Sequence, residues 1–273
     1  MIPWMIGPLA ERQHWADIWV RSGWRVREHV WSDETELLDP ADKVVLKGSA
    51  HDCLDAGMHR APKSKSRQAV VLMHGLGRSR RSMRHIAARL EAAGLTVANI
   101  DYPSLYRPVE AHAEQALGVA HALVEDGAES VGFAGHSLGG LIGRTAMADG
   151  WPGTRAVLIG APNHGALLAD WLSQLPLYNM LTGVCGQTVR PDGAAQIPVP
   201  EVEIGVIAGG TGGFGFNPWL GEDNDGVVRV SETRLDAAEA DFRLVHSLHA
   251  VMAKNRDVVH ATHAFLTTGR LSA

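Results

Sequence analysis

The feature that most constrains the fold is a serine between glycines, where one apolar pattern gives way to another. Residues 135–140 read GHSLGG, with Ser137 at their centre. The preceding residues 130–134 form a short run typical of a strand, and residues 138–148 have the apolar spacing of a helix. Because glycines permit a turn too tight for side chains, the sequence predicts a sharp strand–turn–helix junction here.

Strand and helix patterns alternate from residue 68 onward. Continuous apolar runs predict buried strands, and amphipathic runs between them predict helices. The predicted strands are residues 68–73, 95–100, 130–134, 156–159 and 203–208; the predicted helices are the one that Ser79 begins and Gly94 ends, and residues 109–124, 138–148 and 251–265. This order predicts an α/β fold with a mostly parallel central sheet flanked by helices, and a functional site at the carboxyl ends of the strands.

A polar, proline-containing run at residues 61–67 predicts a linker. We therefore expect an N-terminal extension over residues 1–66 and an α/β domain over residues 67–273. Between the strands at 156–159 and 203–208, a short cap-like insertion is expected at about residues 162–200.

The extension is expected to contain a helix and short strands. Residues 8–20 are predicted as a helix, since Trp15, Ile18 and Trp19 share one helical face. Strands are predicted at 24–31 and 43–47. Five of the eight tryptophans, Trp4, Trp15, Trp19, Trp24 and Trp31, fall in this region. Tryptophan buries a large apolar surface, so the extension either roofs the pocket or packs on the flank of the sheet.

Composition excludes several classes of protein. The 273 residues carry a formal net charge of −5, which lacks the basic surplus of a nucleic-acid-binding surface. Two cysteines, Cys53 and Cys185, exclude a disulfide framework. No stretch approaches the roughly 20 apolar residues of a transmembrane helix. The N-terminus lacks a basic start, so no signal peptide is recognised and a cytoplasmic location is expected.

An aspartate and a histidine that could activate Ser137 follow it in the sequence. Nucleophilic catalysis by Ser137 needs a histidine as base and a buried carboxylate that orients it. Asp225 lies in residues 222–228 (EDNDGVV), and His249 ends residues 246–249 (HSLH). The order Ser137, Asp225, His249 is that of one serine-hydrolase fold. Asp223 and His246 are the neighbouring alternatives.

Two backbone N–H groups are candidates for an oxyanion hole. Leu138 follows the serine at the start of the predicted helix, and Leu76 lies in residues 74–77 (HGLG) after the first core strand. His74 in this loop is expected to be a structural histidine rather than the base.

An acidic run and a basic cluster could be taken for ion-binding sites, but the sequence favours another role for each. The acidic run at 222–228 resembles part of a calcium loop but lacks the twelfth-position glutamate, so no metal ion is expected. The basic cluster Arg78, Arg80, Arg81 and Arg84 is expected to be a solvated helix face rather than an anion site. No phosphate-binding glycine motif is present, and no cofactor is expected.

Together these runs resemble the bacterial lipase/esterase branch of the α/β-hydrolase superfamily over about residues 68–268. The matching runs are residues 71–77 (VLMHGLG), 101–104 (DYPS), 135–140 (GHSLGG), 160–165 (GAPNHG) and 224–228 (NDGVV), with His249. The resemblance implies that Asp225 is the triad acid. It also implies that His249, sixteen residues before Phe265, is the base, whereas His164 is not.

The resemblance further implies the α/β-hydrolase fold and hydrolysis of a small-molecule or lipid-like carboxylic ester through an acyl-enzyme. The insertion is shorter than a lipase lid, which argues against long-chain triglycerides. Thioesterase, amidase and acyltransferase activities need the same triad and stay open. A non-catalytic binding protein on this fold should lack part of the triad, but every part has a candidate here.

Overall fold

Six strands form one parallel sheet. The structure is a computed structural model that describes residues 13–64, 66–148 and 150–272. Its strands, in chain order, are β1 (Trp15–Arg21), β2 (Trp24–His29), β3 (Thr35–Leu38), β4 (Val44–Gly48), β5 (Gln68–Met73), β6 (Thr96–Ile100), β7 (Ser130–His136), β8 (Arg155–Ile159), β9 (Glu203–Gly210) and β10 (Asp241–His246). The last six pair in the order β10-β9-β8-β7-β5-β6, all parallel, which confirms the predicted sheet.

Helices cover both faces of this sheet. The described α-helices are α1 (Ala50–Arg60), α2 (Arg84–Ala92), α3 (Val109–Glu125), α4 (Leu138–Met147), α5 (Leu167–Ser173), α6 (Tyr178–Thr182), α7 (Pro191–Ala194), α8 (Val230–Thr233) and α9 (Arg256–Thr268). Helices α3 and α4 share one buried apolar cluster with the sheet, and α2 and α9 share another. The flanking layers are therefore those expected of an α/β fold.

Strand β5 shows why its sequence is a continuous apolar run. Val71 and Met73 belong to the cluster beneath α3 and α4, whereas Val70 and Leu72 belong to the cluster beneath α2 and α9. Successive side chains of a strand point to opposite faces, and both faces are covered here.

The order of the strands places a crevice at the end of β5. From β5 the chain crosses to β6 on one side, and then to β7 on the other side of β5. Loops that leave neighbouring strands in opposite directions open a crevice at the carboxyl edge of a sheet. The turns after β5 and β7 therefore meet at this crevice.

The N-terminal region forms a second sheet, and one prediction for it is wrong. Strands β1 to β4 pair in sequence order, all antiparallel. Trp15–Arg21 is a strand and not the end of a helix over residues 8–20; residues 8–12 lie outside the described residues. Nearly every side chain of β1 is buried, so its apolar positions show no strand alternation. Helix α1 was not predicted.

The N-terminal sheet shares the core of the parallel sheet. Val20 packs in the cluster beneath α3 and α4. The Asp17 N–H donates to the Asp101 carbonyl at 3.0 Å, and the Asp101 N–H donates to the Asp17 carboxylate at 2.7 Å. That carboxylate also accepts two hydrogen bonds from Arg25, at 2.9 and 3.0 Å, and both side chains are buried.

The end of the chain differs in part from the prediction. A 3₁₀-helix over His249–Lys254 precedes α9, which begins only at Arg256, where the Asn255 side chain accepts from the Asp257 N–H. Strand β10 was not predicted, because it lies at the sheet edge and only Val245 in it is buried. Among the described residues, no helix is long and apolar enough to cross a membrane.

We expect Asp17→Ala to lower the free energy of unfolding by about 3 kcal/mol, since it leaves the buried Arg25 guanidinium short of a partner. Urea unfolding followed by circular dichroism measures the change. The matched control is Asp33→Ala, an exposed aspartate of the same region, with an expected change within about 0.5 kcal/mol. Equal effects of the two substitutions would contradict a structural role for the Asp17–Arg25 pair.

Candidate active site

The turn between β7 and α4 holds Ser137 in an unusual backbone conformation. Its φ is +56° and its ψ is −123°. A Cβ on Gly135 would lie 2.4 Å from the Gly139 carbonyl oxygen, and a Cβ on Gly139 would lie 2.6 Å from the carbonyl oxygens of Met73 and His74. Only glycine fits at both positions, which confirms the predicted strand–turn–helix and brings the turn against the end of β5.

Three side chains from distant parts of the sequence meet at this turn. His249 Nε2 lies 3.0 Å from Ser137 Oγ, and His249 Nδ1 lies 2.6 Å from Asp225 Oδ2. The Asp225 carboxylate is fully buried, whereas His249 is partly exposed. The structure thus brings together the three residues predicted from sequence; their catalytic roles stay a prediction.

The backbone orients the Asp225 carboxylate. Its Oδ1 accepts from the N–H groups of Val227 at 3.0 Å and Val228 at 2.8 Å, which leaves Oδ2 for His249. The His249 N–H in turn donates to the Asp225 carbonyl at 2.9 Å. Both side chain and main chain therefore hold the imidazole, with Nδ1 as its donor to Asp225.

The neighbouring alternatives, Asp223 and His246, contact other groups. Burial alone would raise the pKa of Asp223, but N–H groups including those of Thr211 and Gly212 donate to its carboxylate, so its pKa lies below the ordinary value. His246 packs edge-on against the Phe216 ring, 5.1 Å between centroids. His164 is exposed, and its N–H donates to the Glu232 carbonyl.

The predicted oxyanion donors lie on either side of the serine. Leu138 is the first residue of α4, where N–H groups have no partner within the helix. Leu76 follows Gly75, at which a Cβ would lie only 3.3 Å from Ser137 Cβ, so the loop backbone passes close to Ser137. Their function in binding an oxyanion stays a prediction.

Two other histidines at the site are buried and neutral. Burial lowers the pKa of His74 to about 4, and its Nδ1 lies 2.9 Å from the Gly75 carbonyl oxygen. Its ring stacks on Tyr102 at 4.1 Å between centroids, consistent with the structural role expected for it. Burial, then the neighbouring His249, lowers the pKa of His136 well below its ordinary value.

A buried glutamine, missed in the sequence, supports the loop that carries Leu76. Gln13 Nε2 donates to the Arg78 carbonyl at 2.7 Å, and its Oε1 accepts from Ser104 Oγ at 3.0 Å. Ser104 Oγ in turn accepts from the Gly77 N–H at 2.9 Å. Gln13 lies 63 residues before Leu76 in the sequence, so no local pattern could indicate this contact.

A cavity of about 230 Å³ opens at Ser137. Apart from Arg78 and the site histidines, its lining is mostly apolar and backbone. The lining residues are Gly75, Leu76, Arg78, His136, Ser137, Pro162, Ala166, Leu168, Ala169, Leu172, Tyr178, Thr182, Val189, Val227, Val228 and His249. None of the described residues of the N-terminal sheet lines it, so packing on the flank of the sheet, rather than roofing the pocket, is their observed role. The roof comes from α5 and α6.

A buried arginine holds the ends of the segment that forms this roof, residues 162–200. Arg144 on α4 donates to the Asn163 carbonyl at 3.0 Å, and to the carbonyls of Ile197 at 2.6 Å and Pro198 at 3.2 Å. The segment also exposes many apolar side chains. Its exposed apolar side chains include Trp171, Leu172, Leu175, Leu177, Leu181 and Val184.

Comparison with sequences finds no relative, but comparison with solved structures does. No family model matches the chain, and no curated protein matches it. A lipase of Bacillus licheniformis in its mature form has a TM-score of 0.57 at 22% identity, over 68% of this chain and 86% of that one. An esterase of Pyrococcus furiosus has a TM-score of 0.50 at 14% identity, over 89% of this chain and 88% of that one.

A phospholipase of Legionella pneumophila is similar as well, with a TM-score of 0.56 at 17% identity. The match covers 76% of this chain, which spans only 59% of the Legionella protein. These likenesses agree with a parallel six-stranded sheet flanked by helices. The chain therefore has the α/β-hydrolase fold.

We expect Gln13→Ala to slow the labelling of Ser137 by a fluorophosphonate probe about tenfold, because the loop carrying Leu76 loses its support. Gln13→Glu should be partly rescued as the pH falls. A neutral carboxyl group can donate to the Arg78 carbonyl, as the amide does, and an ionised one cannot. The measurement is the labelling rate relative to wild type at each pH.

The matched control for this loop is Gln115→Ala. Gln115 also bridges the N-terminal sheet and β6, donating to the carbonyls of Asp17 at 2.8 Å and Asp101 at 3.0 Å, but it does not touch the loop. It should change stability and leave the labelling rate of the folded protein unaltered. A Gln13→Glu rate that follows wild type at every pH would overturn the role of Gln13.

Proposed function

We propose that this protein is a serine hydrolase that cleaves carboxylic esters through an acyl-enzyme intermediate. The observation that carries the proposal is the hydrogen-bonded series from Ser137 Oγ to His249, 3.0 Å, and from His249 to Asp225, 2.6 Å, at the mouth of an apolar cavity. The names of the similar structures, a lipase, an esterase and a phospholipase, agree with this reaction class.

In the first step, Ser137 Oγ attacks the ester carbonyl carbon while His249 Nε2 takes the hydroxyl proton. The carbonyl oxygen becomes an oxyanion, which the N–H groups of Leu76 and Leu138 stabilise. Asp225 accepts from Nδ1 and stabilises the imidazolium. The intermediate then collapses, the bond to the alcohol oxygen breaks, and His249 gives its proton to the leaving alcohol.

In the second step, water replaces the alcohol. His249 Nε2 removes a proton from water, whose oxygen attacks the acyl carbonyl carbon. The same two N–H groups stabilise the second oxyanion. The bond to Ser137 Oγ breaks, the proton returns from His249 to the serine, and the carboxylic acid leaves.

The cavity favours a short apolar acyl chain. Its volume of about 230 Å³ is below the range of roughly 300–1,000 Å³ common for ligand pockets. Leu168 and Leu172 of α5 contribute apolar lining, and no carboxylate of the described part of the chain lines the cavity. A panel of 4-nitrophenyl esters from acetate to decanoate, with matched thioesters and anilides, tests both the acyl length and the choice among ester, thioester and amide.

We expect Ser137→Ala to abolish both fluorophosphonate labelling and ester turnover, the latter by about a millionfold in kcat, as for a triad serine protease. His249→Ala should be nearly as severe because the two residues act as one unit. His246→Ala is the matched control, three residues away, and should retain turnover. Loss of activity in a folded His246→Ala with retention in His249→Ala would reverse the assignment.

We also expect Leu168→Ala to move the preferred acyl chain toward longer esters, because Leu168 lines the cavity and its truncation enlarges it. The measurement is kcat/KM across the ester panel. Leu175→Ala serves as control, since Leu175 lies just beyond α5, is exposed and does not line the cavity. A preference unchanged by Leu168→Ala would place the acyl chain elsewhere.

A further inference from the structure

We infer that Arg78 binds an anionic group of the substrate, so that the natural substrate is an ester carrying a carboxylate or phosphate near the scissile bond. The inference rests on the proposed ester hydrolysis at Ser137. It adds a substrate class that neither the fold nor the triad specifies, and it assigns a function to a residue at first expected to lie on a solvated helix face.

Arg78 is the one permanently charged side chain that lines the cavity among the residues the structure describes. The remaining lining is apolar, backbone or hydroxyl, apart from His136 and His249. Among residues 13–64, 66–148 and 150–272, no aspartate or glutamate lines it, and Asp225 is directed to His249. A substrate with a negative group therefore meets a cation and no repelling carboxylate at this mouth.

The Arg78 guanidinium has no partner among the described residues. The hydrogen bonds of Arg78 to the rest of the protein involve only its backbone N–H and carbonyl groups. Arg80, two residues later, pairs with both Asp42 and Asp101. An unpaired guanidinium beside an apolar cavity retains all its donors for a carboxylate or phosphate, which its planar fork binds with two hydrogen bonds.

The backbone of Arg78 is held on both sides. Its N–H donates to the Gly75 carbonyl at 3.1 Å, which closes a turn containing Gly77 at φ +64°, and its carbonyl accepts from Gln13 at 2.7 Å. The side chain thus extends from a fixed base that also belongs to the loop carrying Leu76. Such preorganisation reduces the entropy lost when an anion binds.

The positive charge of Arg78 acts on His136, the buried residue that precedes Ser137. After burial and His249, it is a further cause that lowers the pKa of His136. Since His136 adjoins Ser137 in sequence, this electrostatic effect supports the position of the guanidinium near the reacting ester. The exposed Arg81 and Arg84 of the same basic cluster do not line the cavity.

Two pairs of substrates test the inference, and the members of each pair are matched in length. One pair places the anionic group in the acyl part of the ester, and the other places it in the alcohol part. The acyl pair is 4-nitrophenyl hexanoate and mono-4-nitrophenyl adipate. The alcohol pair is the butyrate esters of 4-hydroxybenzamide and 4-hydroxybenzoate. The readout for each pair is the ratio of kcat/KM, anionic over neutral. Arg78→Gln removes the charge, Arg78→Lys retains it, and Arg84→Gln is the control with the same change in net charge.

In at least one pair, we expect Arg78→Gln to lower the ratio by about tenfold or more, the effect of losing a charge-assisted hydrogen bond. Arg78→Lys should retain part of the preference, and Arg84→Gln should leave the ratio unchanged. Raising the salt concentration should reduce the wild-type preference. Ratios unaltered by Arg78→Gln in both pairs, or an equal change with Arg84→Gln, would overturn the inference while leaving ester hydrolysis intact.

A binding arm separates this inference from the proposed function. Ser137→Ala and Ser137→Ala/Arg78→Gln are titrated with all four esters by calorimetry. Tighter binding of an anionic ester that depends on Arg78 supports the inference even if wild type hydrolyses no ester, the result that would refute the proposed function. Equal affinity for the anionic and neutral members of both pairs would refute the inference.

Discussion

The close approach of three backbone segments around Ser137 is the constraint on which the site depends. The turn after β7 packs against the carbonyl groups that end β5, and the loop after β5 passes within contact distance of the serine Cβ. Glycines make this contact possible, and the positive φ of Ser137 costs about 1–3 kcal/mol. The buried helix α4 and strand β7 offset that strain. A methyl group at Gly139 would separate Ser137 from the loop that carries Leu76.

The N-terminal sheet and Gln13, which precedes it, are hydrogen-bonded to the loops around the site. Asp17 exchanges two hydrogen bonds with Asp101 just after β6, one of them through its carboxylate, and the Gln13 side chain donates to the turn that carries Leu76 and Arg78. Gln13 lies two residues before β1, so its side chain connects the start of this sheet to the turn. The sheet is thus hydrogen-bonded to residues around the site, while none of its described residues lines the cavity.

Much of the parallel sheet could be predicted because its strands are continuous apolar runs with glycine at their ends. Local sequence did not predict strands whose side chains are nearly all buried or nearly all at least partly exposed, because apolar and polar residues do not alternate along them. Strand β1 is buried almost throughout and resembles a helix face, and edge strand β10 is mostly exposed. Helix α1 buries only Cys53 and Gly57, so its sequence shows little of a helical apolar face. Its start could have been recognised from Ser49, whose hydroxyl caps the helix by accepting from the Asp52 N–H. Ser137, Asp225 and His249 were found through motif and order, whereas Gln13 depends on tertiary contact alone.

The distribution of charge explains why Arg78 stands at the mouth rather than deeper. In the proposed reaction His249 becomes an imidazolium, and any buried cation beside it would oppose that step. Burial keeps His74 and His136 neutral, and the buried Asp225 carboxylate supplies the single charge needed. An exposed guanidinium is screened by water, so it opposes the imidazolium only weakly. At the mouth it still meets an anionic group of the substrate, which partly displaces that water and strengthens the attraction.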